Sequence, residues 1–262
     1  MPSTRSTPVP LHYRAFGSGA PLVILHGLFG CWHNWYPVAR ALADRFRVFA
    51  VDQRNHGDSG HAEPLDYEHL ADDVRSLLDE LGLPRAVLLG HSMGGKTALR
   101  FADRFPGRVD RLIVVDIGPR AYPPVHREAI DALCGLELKD LPRLRDADQR
   151  LAPAIPDPSL RLFLLKNLAR SPAGFRWKVN LEAIRRGYAG LCAPLPLRGG
   201  PTPALFVCGG RSDYVRDGDW PAVQGLFPRA QRVVVSGAGH WVHVDDEPGF
   251  LAAVLAFLEG PG

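Results

Sequence analysis

Short apolar runs alternate with helical patterns over the first 118 residues of the chain. Leu22-Val23-Ile24-Leu25 is apolar throughout and ends at His26-Gly27. Arg47–Val51, Ala86–Leu89 and Leu112–Val115 read the same way. Continuous rather than alternating runs are the mark of strands covered on both faces, since neither face is left to solvent. Between them, Leu70, Val74, Leu77, Leu78 and Leu81 recur at helical spacing within Asp66–Leu81, and Gly82 and Pro84 supply the stop. Ala98–Phe105 continues a second helix, closed by Pro106-Gly107. Strand–helix–strand alternation predicts an α/β fold with a doubly wound, mostly parallel sheet.

The pattern changes between Pro119 and Gly200. Strand-like runs are absent there, and amphipathic segments near Val125–Leu133, Ser159–Leu168 and Leu181–Tyr188 are punctuated by prolines. A connection of this length is no ordinary loop. The expected organisation is a core of residues 1–118 and 201–262 with a helical insertion at 119–200. Ala204–Val207 and Arg232–Val235 resume the strands, and Phe250–Leu258 closes the chain as a helix.

Composition narrows the function classes. The 262 residues are 46% hydrophobic and 23% charged, which is ordinary for a globular domain. Net charge is 31 − 28 = +3, but the arginines are scattered, so no nucleic-acid partner is expected. Cys31, Cys134, Cys192 and Cys208 form no CxxC pair and are expected to be free thiols in a reducing compartment. Met1–Pro10 lacks the apolar centre of a signal peptide, and no apolar stretch is long enough to span a bilayer. A cytoplasmic protein, monomer or homodimer, is expected.

The chemistry concentrates at Gly90-His91-Ser92-Met93-Gly94-Gly95. This G-x-S-x-G segment follows a strand and opens a helix, the context of a nucleophile elbow. The glycines give the chain room to pack closely around Ser92, the candidate nucleophile. Lys96, just beyond, is expected to face solvent. An acyl-transfer site also needs two N–H donors for the oxyanion. Met93 supplies one, and the loop His26-Gly27-Leu28-Phe29-Gly30 supplies the other from Leu28, with Phe29 as the alternative. His26 is read as a structural residue of that loop.

His240 is the candidate base. It follows Ser236-Gly237-Ala238-Gly239, just past the strand Arg232–Val235, and keeps the order Ser, acid, His. His243 is its rival. His91 is expected to point elsewhere, and His56, His61 and His69 read as loop or helix-surface residues. Two carboxylates stand at strand ends on the same edge, Asp116 after Leu112–Val115 and Asp213 after Ala204–Val207. Either suits the role of orienting an imidazole. No metal-ligand pattern and no phosphate-binding glycine loop is present, so no metal or cofactor is expected.

His26–Gly30, the Asp52-x-Arg54-Asn55-His56-Gly57-Asp58-Ser59 segment, Gly90–Lys96 and Gly237–His243 together resemble the α/β-hydrolases, and among them the small YbfF-type esterases. The resemblance runs over essentially the whole chain and is weakest in the insertion. It implies that the acid comes from the earlier strand, hence Asp116, with Ser212 as a possible supporting hydrogen-bonder and Asp213 one residue out of register. It implies that 119–200 is a cap over the site. Leu160, Phe163, Leu164, Phe175, Trp177 and Tyr188 then offer an apolar underside, with Trp32, Trp35 and Trp241 at the entrance and Cys31 near the mouth. The Asp52–Ser59 segment reads as a buried structural loop.

The expected reaction is hydrolysis of short- to medium-chain carboxylic esters through an acyl-enzyme on Ser92. Acyl-CoA thioesters are left open by the resemblance. C–C bond hydrolysis and cofactor-free perhydrolysis use the same three groups. An inactive hydrolase fold serving as a ligand-binding module is the alternative outside enzymes.

Overall fold

The computed structural model of the chain describes residues 7–139, 141–172 and 174–260, so Met1–Ser6 of the proline-rich start lie outside it. The chain runs through β1 (Tyr13–Phe16), β2 (Ala20–Leu25), a 3-10 turn at Trp32–Trp35, α1 (Tyr36–Leu42), β3 (Phe46–Val51), α2 (Tyr67–Glu80), β4 (Ala86–His91), α3 (Met93–Arg104) and β5 (Val109–Val115). There follow α4 (Arg127–Cys134), α5 (Leu144–Leu151), α6 (Pro158–Leu165), β6 (Leu168–Ser171), β7 (Gly174–Trp177) and α7 (Leu181–Cys192). The last elements are β8 (Ala204–Gly209), α8 (Trp220–Leu226), β9 (Ala230–Val235), α9 (Val242–Asp245) and α10 (Glu247–Glu259).

Seven strands form one sheet in the order β1-β3-β2-β4-β5-β8-β9. Among the described strands of this sheet only β1, at the edge, is antiparallel to its neighbour. The central strands are buried on both faces. Leu22 and Ile24 of β2 pack with Trp35, Leu42 and Phe250 on one side. Val23 and Leu25 pack with Leu70, Leu99 and Phe101 on the other. That double burial is why these strands read as unbroken apolar runs. Helix α2 starts where Asp66 accepts a hydrogen bond from the His69 N–H (2.9 Å). It buries Leu70, Val74, Leu77 and Leu78, the face read from the sequence.

The segment between β5 and β8 departs from expectation at one place. Besides helices α4 to α7 its described residues form a hairpin, with Leu168 opposite Trp177 and Ser171 opposite Gly174. Its strands have four residues each and are only partly buried, so no apolar run announces them.

This segment is fastened across the carboxyl ends of the strands. Asn180 N–H donates to the Asn55 carbonyl (2.9 Å), and the Asn167 side chain donates to the Phe29 carbonyl (2.8 Å). Tyr67 Oη donates to the Leu191 carbonyl (3.0 Å). Its two ends meet, with Tyr122 N–H on the Cys192 carbonyl (2.9 Å) and Leu195 N–H on that of Pro119 (2.7 Å).

Candidate active site

Ser92 is the single residue between β4 and α3, and its backbone is forced to φ 51° and ψ −117°. A serine in that region is strained by about 1–3 kcal/mol. Close packing holds it there. A Cβ on Gly90 would lie 2.1 Å from the Gly94 carbonyl oxygen, and one on Gly94 would lie 2.2 Å from that of Leu25. Only glycine lets β4, α3 and β2 approach this closely.

The loop after β2 is fixed by two buried histidines. His26 Nδ1–H donates to the Gly27 carbonyl (2.7 Å), while Nε2 accepts from Gln53 N–H (2.9 Å). His56 Nδ1–H donates to the Arg54 carbonyl (2.8 Å), and Nε2 accepts from Phe29 N–H (3.1 Å). Both rings must therefore stay neutral, and burial pushes them down to about 4 and about 3. His56 thus stands fully buried within the Asp52–Ser59 loop. The Phe29 N–H is committed to His56. Among the described residues the N–H groups of Leu28 and Met93 have no protein acceptor, and both residues line the cavity that Ser92 lines.

His240 donates from Nδ1 to Asp116 Oδ2 (2.8 Å), which leaves Nε2 as an acceptor. Asp116 stands just past β5 at φ 48°. It also accepts from Gly209 N–H (3.0 Å) and from the Ser212 hydroxyl. The His240 ring neighbours two others, Tyr214 at 3.9 Å and His91 at 4.7 Å. His91 Nε2–H donates to the His240 carbonyl (2.9 Å). The Asp213 side chain is exposed and makes no hydrogen bond or ion pair with His240, and its backbone carbonyl accepts from Arg120 (2.8 Å). His243 is buried against Trp35 (3.8 Å, 10°), where burial pushes it down to about 3.

Ser92 and His240 share a cavity of about 500 Å³. Trp35, Phe163 and Trp241 line it, with Leu160, Leu164 and Tyr188 from the segment above. Four residues placed at the pocket from sequence stand elsewhere. Trp32 stacks on His33 (3.6 Å) and packs toward Phe16, because its N–H is tied to the Asp52 carboxylate (2.7 Å). Trp177 and Phe175 belong to the hairpin. Cys31 caps the 3-10 turn, its N–H on the Asn34 side chain (2.8 Å), and is not in the cavity wall.

Lys96 is the reverse case. It is 1% exposed and sits in the cavity wall, because α3 is covered on its outer face by the segment between β5 and β8. Tyr214 and His126 also line the cavity. No spacing pattern marks either, since both reach it from irregular loops.

His12, Asp52 and Asp58 bring ligand-type atoms within 4.8 Å of one another. Their mutual bonds already account for them. Asp52 accepts from His12 Nδ1 (3.0 Å) and Asp58 N–H (3.0 Å), and Lys178 pairs with Asp58 (3.1 Å). The cluster is outside the cavity wall.

A mostly parallel sheet with a strained serine between strand and helix, sharing a cavity with a histidine that follows the last strand, defines the class of α/β-hydrolases. The chain belongs to that family: residues 20–150 match the alpha/beta hydrolase fold. It is 40% identical to the sn-1-specific diacylglycerol lipase ABHD11 of Mus musculus, over 96% of this chain and 86% of that protein. It is 30% identical to esterase YbfF of Escherichia coli, over 92% and 94%. A solved marine microorganism esterase superposes with a TM-score of 0.92 at 37% identity, covering 95% of this chain and 99% of that one. The chain is a hydrolase of the esterase/lipase type. No helix among the described residues is long and apolar enough to cross a membrane.

Proposed function

We propose that the chain hydrolyses short- to medium-chain carboxylic esters through an acyl-enzyme on Ser92. The observation that carries this is the His240–Asp116 hydrogen bond, which fixes the imidazole with Nε2 free in the cavity that Ser92 lines. Ser92 Oγ attacks the ester carbonyl while His240 Nε2 takes its proton. Asp116 holds the ring and stabilises the imidazolium. The N–H groups of Leu28 and Met93 receive the developing oxyanion, each such donor supporting the transition state by about 3–4 kcal/mol. His240 then protonates the leaving alcohol. Water, activated by the same nitrogen, attacks the acyl-enzyme and releases the acid.

Residues 119–200 act as the cap in this reading. They supply Leu160, Phe163, Leu164 and Tyr188 to a cavity whose size suits a small ligand. The test is a p-nitrophenyl ester panel of rising chain length, with wild type and Ser92→Ala. Activity on short and medium chains, lost in Ser92→Ala, supports the reading. A maximum at long chains moves the substrate toward the lipids named for the mouse relative. No ester hydrolysis at all in the wild type overturns it.

A further inference from the structure

Lys96 is an anomaly of electrostatics. Lys96 is buried in the wall of the active-site cavity, and among the described residues its ammonium reaches one hydrogen-bond acceptor, the Ala193 carbonyl (2.8 Å). It otherwise lies over the rings of Tyr122 (4.9 Å) and Tyr67 (5.7 Å). Among the described residues no carboxylate forms an ion pair with it. A buried charge without a counter-charge costs several kcal/mol. The position makes matters worse. Lys96 stands in the first turn of α3, which holds no acidic residue, where the helix dipole already presents positive charge. Nothing in the ester chemistry proposed above uses this cation.

An anion entering the cavity removes the anomaly. We propose that Lys96 makes the inner end of the cavity an anion subsite, so that the preferred esters carry a carboxylate at the far end of a short acyl chain. The inference rests on the ester-hydrolysis reading and specifies its substrate. Geometry sets the chain length. Lys96 N–H bonds the Ser92 carbonyl (3.1 Å), so the two residues stand one helical turn apart. Side chains so spaced begin about 5–6 Å from each other, and the lysine stem extends further, which an acyl chain of roughly four to six carbons spans.

The surroundings favour the same ligand. Facing the ammonium are Tyr67 from α2, Tyr122 and Arg120 from the loop after β5, and Cys192 at the end of α7, with no acid among them. Burial and the like charge of Arg120 lower the lysine to about 8. A bound carboxylate would restore its full charge.

Monoethyl glutarate and ethyl pentanoate separate the charge from the chain, being of equal acyl length. Hydrolysis by wild type at pH 7 should favour the monoester in kcat/KM by about 10-fold or more, the scale of a charge-assisted hydrogen bond. That ratio should collapse toward unity in Lys96→Met. In wild type alone, KM for the monoester should rise several-fold between pH 7 and pH 9.5 relative to ethyl pentanoate. Calorimetric binding of both esters to Ser92→Ala reads the subsite without turnover, whether or not Lys96→Met folds. Tighter binding of the monoester without hydrolysis of any ester keeps the subsite and sinks the esterase. Hydrolysis of ethyl pentanoate with no preference for the monoester, in turnover or in binding, overturns the subsite and keeps the esterase.

Discussion

The ring of Tyr214 lies face to face with that of His240, 3.9 Å between centroids and 19° from parallel. In the proposed reaction that imidazole carries a proton in each transition state, and a π face so placed attracts a cation by about 0.5–2 kcal/mol. Tyr214→Leu should therefore lower kcat by about 3- to 30-fold with little change in KM. Tyr214→Phe keeps the face and should stay near wild type. Steady-state kinetics on one ester checks both, and equal losses in the two variants would remove the ring from the mechanism.

The two candidate acids make a sharper contrast. Asp116 is 1% exposed and hydrogen-bonds His240, whereas the Asp213 side chain is exposed and makes no hydrogen bond or ion pair with it among the described residues. Asp116→Asn should reduce turnover by up to about 10⁴ by disturbing the imidazole tautomer. Asp213→Asn should stay within about 2-fold, since surface changes of this kind are near neutral. The opposite pattern would reassign the acid.

Much of this was legible in the sequence because it lay in elements of strong pattern. The runs around Leu22–Leu25 and Ala86–Leu89 are buried on both faces, and burial dictates composition. Gly90 and Gly94 are dictated by backbone contacts closer than any Cβ allows. What escaped the sequence depends on tertiary cover. Lys96 resembles any helix lysine until the chain between β5 and β8 folds over α3. Trp32 and Trp177 are as aromatic as Trp35, but backbone bonds turn them to other neighbours. Tyr214 reaches His240 from an irregular loop, and no periodicity encodes that.

The Asp52–Ser59 segment yields a prediction about stability rather than catalysis. Arg54 is fully buried and makes two bonds to Asp73, from Nε (2.7 Å) and Nη2 (2.8 Å), while Asp73 also accepts from Val9 N–H (2.9 Å). Removing one partner strands a buried charge. Asp73→Ala should cost about 3–5 kcal/mol. Urea unfolding measures it, and a loss under about 1 kcal/mol would mean that water or a shifted neighbour takes over the guanidinium.

Buried histidines should make the fold sensitive to mild acid. His26, His56 and His243 lie at about 4, about 3 and about 3, all lowered from 6.5 by burial, and His91 is lowered in the same way. Between these values and 6.5 the unfolded chain binds protons that the folded chain refuses. Stability is therefore complete above pH 6.5 and falls as pH drops below it, by about 1.4 kcal/mol per unit for each ring. His243 isolates one contribution. Among the described residues its Nδ1 has no hydrogen-bond partner, and its ring stacks on Trp35 at 3.8 Å, a place that phenylalanine can fill. His243→Phe should gain on wild type by about 1.4 kcal/mol more at pH 5.5 than at pH 7.5 in urea unfolding. Parallel pH dependences for the two proteins would show that His243 takes up its proton in the folded state as readily as in the unfolded chain.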